Sequence, residues 1–317
     1  MAHMINSQKN TLFIAGALLL AAPHTTVSAA EEPTFDFYGR INISLQQSDN
    51  GSGSEGEVVS NASRIGVKGG AQLTDSLEVI YQLEWQVDVA DLGGDDNLRS
   101  RNQFVGLRGN FGEVTIGRRD TVLKTMQGDI DKFSDYEADV KALFEGENRT
   151  KNTLSYYSPK WNQFAVAASY VVSEDDTIDD GISIAVTYGD EDLDDTSYYL
   201  AAGMDSKVEG YDIIRAVGYT NVGETMVGLM WQDQEQVDGT AQADGYVVSA
   251  QRPFGKFVAK IQYQMMDFEN GRDNSLAFGA DYRFTRNTKV FAWYTGRDLE
   301  TINADQSYVA VGIEHRF

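Results

Sequence analysis

The sequence predicts an all-β fold: a transmembrane antiparallel β-barrel of about 16 strands, formed by a single domain at residues 31–317. Two observations predict it. Apolar and polar residues alternate along many segments of about ten residues, as in SLEVIYQLEWQVDV (76–89), and a period of two is that of a strand. The connections between these segments alternate in length, which favours an up-and-down barrel over a Greek-key sandwich.

The first segment, residues 1–30, is predicted to be a secretory signal peptide. A lysine precedes the apolar run TLFIAGALLLAA (11–22), and small residues lead to a cleavage site after Ala29 or Ala30. The run is shorter than the roughly 20 apolar residues of a transmembrane helix. Residues 1–3 are interpreted as the remnant of an expression tag.

Strand-like segments then follow one another to the C-terminus. The clearest are 35–46, 76–88, 256–266, 274–284 and 307–317, whereas 211–220 and 288–296 have no clear parity. A charged side chain facing lipid costs up to about 2–4 kcal/mol, so the apolar parity is predicted to face lipid and the polar parity the lumen. About sixteen strands enclose a water-filled interior.

The connections between strands are predicted to fall into two sets. Short connections lie at 71–75, 109–112, 158–162, 221–223, 253–255 and 285–287. Longer, acidic connections lie at 47–60, 89–99, 119–148, 173–180, 233–243, 268–272 and 298–304. Because consecutive hairpins lie at opposite ends of a barrel, the long loops are predicted to share one end.

The third long connection, 119–148, is the longest, and structureless loops of that length are usually functional. Its middle, KFSDYEADVKALF (132–144), is predicted to form a turn or two of helix with an apolar side. That side comprises Phe133, Tyr136, Val140, Leu143 and Phe144. The third long loop is therefore expected to fold into the lumen and pack on the barrel wall.

Composition excludes several functions. The chain has no cysteine and three histidines, and His315 is the only histidine beyond residue 30. Thiolate sites, a multi-histidine metal site and a histidine-assisted nucleophile are not expected, so we predict no enzyme, no metal and no cofactor. The formal net charge of −22 disfavours nucleic acid binding.

Several motifs are shared with one family. They are YGRINISL (38–45), SRIGVKG (63–69), SRNQFVGLRGNFGEVTIGRRD (100–120), NTLSYYSP (152–159) and the C-terminal Phe317. With these motifs the chain resembles the Gram-negative general porins over essentially its whole length after residue 30. The resemblance implies a homotrimer in the outer membrane, in contact with lipid and lipopolysaccharide, that lets ions and small hydrophilic solutes diffuse passively. It also implies periplasmic short turns, extracellular long loops, and Phe317 as the signal for the outer-membrane assembly machinery.

In that family, arginines on the wall face carboxylates of the third loop across a constriction. The matching basic wall residues are Arg40, Arg64, Arg101 and Arg149. The best matching acids are Asp131 and Asp135, with Asp129 and Glu137 as rivals, and Arg118 or Arg119 is expected to brace the loop or a subunit contact. Opposed charges across a narrow gap would orient dipolar solutes.

Alternatives remain open at this point. A substrate-selective porin for sugars or an anion would need an aromatic track or a denser arginine cluster. An outer-membrane hydrolase would need a catalytic histidine, and a secreted β-sandwich has no reason to sort its loops. The total charge and the acidic loops predict a weak preference for cations, and divalent cation binding by the acidic runs 91–96 and 173–180 is left open.

Overall fold

The structure is a computed structural model that describes residues 33–91, 97–175 and 177–317. The predicted signal peptide and most of the acidic run 91–96 lie outside these residues. The strands are β1 Thr34–Asp49, β2 Ser54–Ser60, β3 Arg64–Thr74, β4 Leu77–Val87, β5 Leu98–Gly109, β6 Gly112–Asp120, β7 Arg149–Tyr157, β8 Phe164–Val171, β9 Gly181–Tyr188, β10 Tyr198–Val208, β11 Tyr211–Val222, β12 Thr225–Gln236, β13 Gln242–Phe254, β14 Phe257–Phe268, β15 Gly271–Arg283, β16 Thr288–Leu299 and β17 Ala304–Arg316. One α-helix, α1 Val122–Thr125, and one 3-10 helix, Val140–Ala142, lie between β6 and β7. Among the described residues, no helix is long and apolar enough to cross a membrane.

The strands form one closed antiparallel barrel. Each strand from β3 onwards pairs with the next, and β1 pairs with β17 to close the sheet. Both β2 and β3 pair with β1, so they are two halves of one barrel strand, interrupted at 61–63 where Ala62 has a φ of 48°. The barrel therefore has sixteen strands, and the predicted fold class is confirmed.

The barrel carries apolar side chains on its outer surface and polar side chains on its inner one, as membrane barrels do and soluble proteins do not. In β4, Leu83 is 43% exposed on the outer surface, whereas the neighbouring Glu84 is 5% exposed on the inner one. The same inversion holds for β1, where Ile41 and Leu45 are exposed and Asn42 is buried. An exposed apolar band on a closed barrel is the surface that lipid solvates.

The two segments without clear parity have a physical explanation. The inward side chains of β11 include Ile213 and Val217, and those of β16 include Phe291 and Trp293; all four are buried. They pack against the connection between β6 and β7. Since the outer face of these strands is apolar as well, apolar residues occur on both faces and the period of two is obscured.

The prediction of loop lengths was partly wrong. The end of the barrel that carries the β6–β7 connection, called the loop end, also has two-residue hairpins at 209–210 and 269–270. Strands continue into segments predicted as loops because polar residues keep the ladder paired, as Asp267 does with Arg272. The opposite turn end carries one longer connection, at 189–197. Closure and the outward apolar band, rather than sorted loops, are what establish the barrel.

Candidate channel constriction

Residues 121–148, called the third loop, lie against the inner wall. The predicted apolar side is buried: the exposed fractions of Phe133, Tyr136, Val140, Leu143 and Phe144 are all 9% or less. The predicted turn or two of helix is present as one short 3-10 helix, Val140–Ala142, and the rest of the segment forms turns. Its aspartates accept hydrogen bonds from nearby backbone N–H groups, and such local bonds compete with regular helix.

Two wall glycines receive side chains of the third loop. A Cβ at Gly203 in β10 would lie 2.7 Å from the Sδ of Met126, and one at Gly228 in β12 would lie 2.5 Å from the Cδ1 of Ile130. Any larger residue at these positions would push the loop towards the centre of the lumen. The missing side chains therefore let the third loop sit directly on the wall.

Arg215 anchors the C-terminal end of the third loop. Its side chain has no exposed surface, and its Nη1 lies 2.6 Å from Oε1 of Glu147. Its Nε donates to Gln232 in β12 at 2.6 Å, and its Nη2 donates to the backbone carbonyl of Glu145 at 2.8 Å. The arginine thus joins two barrel strands to the loop through charge-assisted hydrogen bonds.

Three of the predicted constriction residues come together. Asp135 of the third loop lies 2.5 Å from Arg40 and 3.0 Å from Arg64, measured between Oδ2 and each Nη2. The two arginines are directly opposite on β1 and β3, an arrangement that is unfavourable for like charges. Burial alone would raise the pKa of Asp135, but the two arginines outweigh it and hold that pKa below its usual range.

Asp131 is not part of this group. Its carboxylate accepts hydrogen bonds from the backbone N–H groups of Phe133 and Val140, at 2.9 and 3.0 Å. Burial and the neighbouring Asp139 raise the pKa of Asp131 well above its usual range. Its position is that of a carboxyl group that holds the loop together.

The two rival acids also lie apart from Arg40 and Arg64. Asp129 pairs within the loop with Lys132, at 2.7 Å. Glu137 contacts the same wall closer to the loop end, where it pairs with Arg297 of β16 at 3.2 Å and accepts a hydrogen bond from Gln46 of β1 at 3.1 Å. The predicted acids are thus distributed along the loop instead of forming one acidic face.

The remaining wall arginines are paired with wall carboxylates. Arg101 lies 2.6 Å from Glu84, which also lies 4.0 Å from Arg64. Arg149 lies 2.9 Å from Asp120. Positive charges on this wall are therefore interleaved with negative ones, which differs from the simple opposition of arginines and loop acids expected from the sequence.

Arg118 and Arg119 occupy different surfaces. The guanidinium of Arg119 lies between the rings of Phe104 and Tyr157, 4.5 and 4.4 Å from their centroids, so it braces the inner wall. Arg118 shares the parity of Ile116, whose side chain is 61% exposed on the outer surface. Arg118 has no ion pair with any residue that the structure describes.

Five further charged residues, not singled out in the sequence, complete the inner wall. They extend the group into a chain of alternating charges with successive separations of 2.5 to 4.0 Å: Arg101, Glu84, Arg64, Asp135, Arg40, Glu314, Lys289, Asp281 and Lys260. Each member except Asp135 comes from a different strand. These residues could have been predicted from the sequence, because a charged residue at a position that faces the lumen indicates a place on the inner wall. Glu84 and Asp281 are both at such positions.

A polar cavity of about 710 Å³ lies between the third loop and this wall. Eleven basic and eight acidic residues line it, so its formal charge is +3. The sign is opposite to that of the whole chain. A charged, water-accessible passage inside a closed barrel can hold and conduct hydrated ions.

Comparison with known proteins agrees with the closed barrel. A family model described as Gram-negative porin matches residues 15–301. The chain belongs to the Gram-negative porin family. It is accordingly an outer-membrane β-barrel protein, as the sequence motifs predicted, and its relatives are channels rather than enzymes.

Individual relatives span nearly the whole chain. The major outer membrane protein P.IB of Neisseria meningitidis is 28% identical over 345 residues, covering 95% of this chain and 98% of that protein. The anion-selective porin from Comamonas acidovorans has the same fold, with a TM-score of 0.74 at 19% identity, covering 90% of this chain and all of that one. The trimer form of OmpT from Vibrio cholerae matches with a TM-score of 0.68 at 17% identity, over 90% of this chain and all of that one.

Proposed function

We propose that this porin forms a water-filled channel for passive diffusion of ions and small hydrophilic solutes, with its neck between the third loop and the wall chain of alternating charges. The observation that carries the proposal is the charged cavity at that position. Among the described residues of its lining, Tyr136 is the single aromatic one, whereas a sugar channel would need an aromatic track. Hydrated solutes pass such a lining without any chemical step.

A second candidate, a channel selective for anions, is favoured by the charge of the lining. Basic residues outnumber acidic ones in the neck by eleven to eight, although the whole chain is strongly acidic. Charges farther from the path than a Debye length, about 8 Å at physiological salt, are largely screened. The structural relative from Comamonas acidovorans is itself named as anion-selective. We therefore propose a modest anion preference, opposite to the preference suggested by total charge.

The reversal potential across a planar bilayer tests both proposals. With refolded protein under a tenfold KCl gradient, we expect stepwise conductance and a potential whose sign shows chloride to be more permeant than potassium. The expected permeability ratio is about 1.5 to 3, because the excess of three charges is spread over a wide lining.

Each outcome of that measurement is informative. Correctly folded protein that inserts but carries no current would contradict the diffusion channel. A potential of the opposite sign would leave the channel standing and show that the acidic loops govern selectivity.

We further propose that three copies associate, with Arg118 in the contact. A single arginine facing lipid near the midplane costs about 2–4 kcal/mol. A carboxylate from a second copy would remove that cost, whereas Arg119 is already held inside the wall.

The variant Arg118→Glu is expected to shift the protein from trimer to monomer in mild detergent, measured by light scattering, because two carboxylates would then face each other. The substitution Arg252→Glu, at an exposed site on the turn-end half of β13, is the matched control. Equal trimer stability in both variants would exclude Arg118 from the contact.

The remaining features of the sequence fit the same assignment. We propose that residues 1–30 are the signal peptide, that the loop end is extracellular, and that Phe317 is the assembly signal. Phe317 exchanges two backbone hydrogen bonds with Gly39, at 2.9 and 3.1 Å, and its ring is half exposed on the outer surface. The C-terminal residue thus completes the barrel seam while its ring stays accessible.

A further inference from the structure

The two ends of the barrel carry unequal charge. At the loop end, leaving out the third loop, the described connections contain ten acidic residues and no basic one. Lys151 and Lys207 on adjoining strands offset two of these charges by pairing with Glu174 and Asp179. The described connections at the turn end contain seven acidic and three basic residues, and five of the seven acids lie in the single connection 189–197.

The neck between these ends has the opposite sign. Its lining carries a formal charge of +3. The positive region extends towards the turn end, because Arg283 and Arg316, the last residues of β15 and β17, also line the cavity. A solute that enters from the loop end therefore meets a strongly negative zone and then a positive one.

A negative zone followed by a positive zone accumulates ions at one direction of the applied potential and depletes them at the other. At low salt the negative zone concentrates cations and the positive zone concentrates anions, since the Debye length is about 10 Å at 0.1 M salt. A positive potential at the loop end drives cations inward through the negative zone and anions outward through the positive zone, so ions accumulate where the zones meet. The reverse potential draws both away from that junction and depletes it.

We propose that this channel rectifies, conducting more current when the loop end is positive than when it is negative. The proposal rests on the diffusion function proposed above. It also gives the acidic loops and the basic neck complementary roles, since two zones of opposite sign in series make the current depend on direction.

Single-channel current–voltage curves in symmetric KCl test the proposal. At 0.1 M KCl we expect the current at +100 mV on the loop end to exceed that at −100 mV by about 1.5-fold, and the ratio to approach one at 1 M, where the Debye length is about 3 Å. Orientation can be fixed through the absence of cysteine in the chain. Ser52→Cys, at the loop end, is labelled with biotin, and streptavidin added to one chamber reports which end faces it.

Two matched variants separate the zones. Glu209→Gln, Asp238→Asn, Glu269→Gln and Glu300→Gln together remove four exposed charges from the loop end. Asp192→Asn, Asp194→Asn, Asp195→Asn and Glu224→Gln remove four exposed charges from the turn end. The first set is expected to bring the ratio close to one, and the second to leave it unchanged or raise it.

The outcomes distinguish this inference from the function on which it rests. A linear or oppositely bent curve at 0.1 M KCl, or loss of rectification in the turn-end variant alone, would overturn the inference while the diffusion channel stands. Absence of current at every salt concentration would overturn both.

Discussion

The variant Asp135→Asn is expected to increase the chloride-to-potassium permeability ratio at least about threefold at 0.1 M KCl and to raise the conductance. Asp135 neutralises Arg40 and Arg64, which lie directly opposite each other on β1 and β3. A unit charge about 5 Å from the path changes the energy of a passing chloride by roughly 1–3 kcal/mol, depending on the local dielectric. Without the negative charge the two arginines repel, and the third loop loses its ion pairs with them.

Asp129→Asn is the matched control for that experiment. Asp129 lines the same cavity and belongs to the same loop, but it pairs with Lys132 rather than with the wall arginines. Reversal potentials of the two variants are compared at the same salt. A shift in Asp129→Asn as large as that in Asp135→Asn would show that any loop charge suffices and that the contact with Arg40 and Arg64 has no special role.

The pH dependence of the same contact has a defined sign. Because the pKa of Asp135 lies below its usual value of 3.8, the contact is complete above that pH and is lost as the pH falls through the lowered pKa. Wild-type selectivity below pH 3.8 should therefore move towards that of Asp135→Asn. Asp135→Asn has no carboxyl group at this position, so its ion selectivity should not show the part of the pH dependence that comes from Asp135.

The fold can be predicted from the sequence because the face of each strand that contacts lipid must carry apolar side chains. Parity identified the strand around Leu83, and the inward orientation of Arg40 and Arg64 agrees with the same rule. Parity failed for 211–220 and 288–296, since the third loop packs on apolar residues of the inner face of those strands as well.

The constriction was less predictable for a different reason. Which acid meets which arginine depends on the path of the third loop. That path is set by wall features such as Gly203 and Gly228, whose effect is to leave space. The resemblance to the family therefore grouped Asp131 with Asp135, although backbone hydrogen bonds hold Asp131 inside the loop.

Arg215→Ala is expected to give the largest loss of stability among the substitutions considered, about 3–5 kcal/mol in the free energy of unfolding. The substitution leaves the Glu147 carboxylate, the Glu145 carbonyl and the Gln232 amide facing a cavity without their shared donor. Removing one partner of a buried ion pair exposes the other to the full cost of desolvation. Urea unfolding of refolded protein in detergent, followed by tryptophan fluorescence, measures the effect.

Two further sets of variants test whether the loss of stability arises because the ion pair of Arg215 is buried. Arg252→Ala removes an arginine that pairs with Glu224 at 3.4 Å on the exposed surface, and such pairs contribute less than about 1 kcal/mol. The double variant Arg215→Met with Glu147→Met should recover part of the loss, because apolar residues of similar volume tolerate the buried site. If Arg215→Ala unfolds at the same urea concentration as Arg252→Ala, Arg215 is not an anchor, and the third loop is held by its apolar contacts alone.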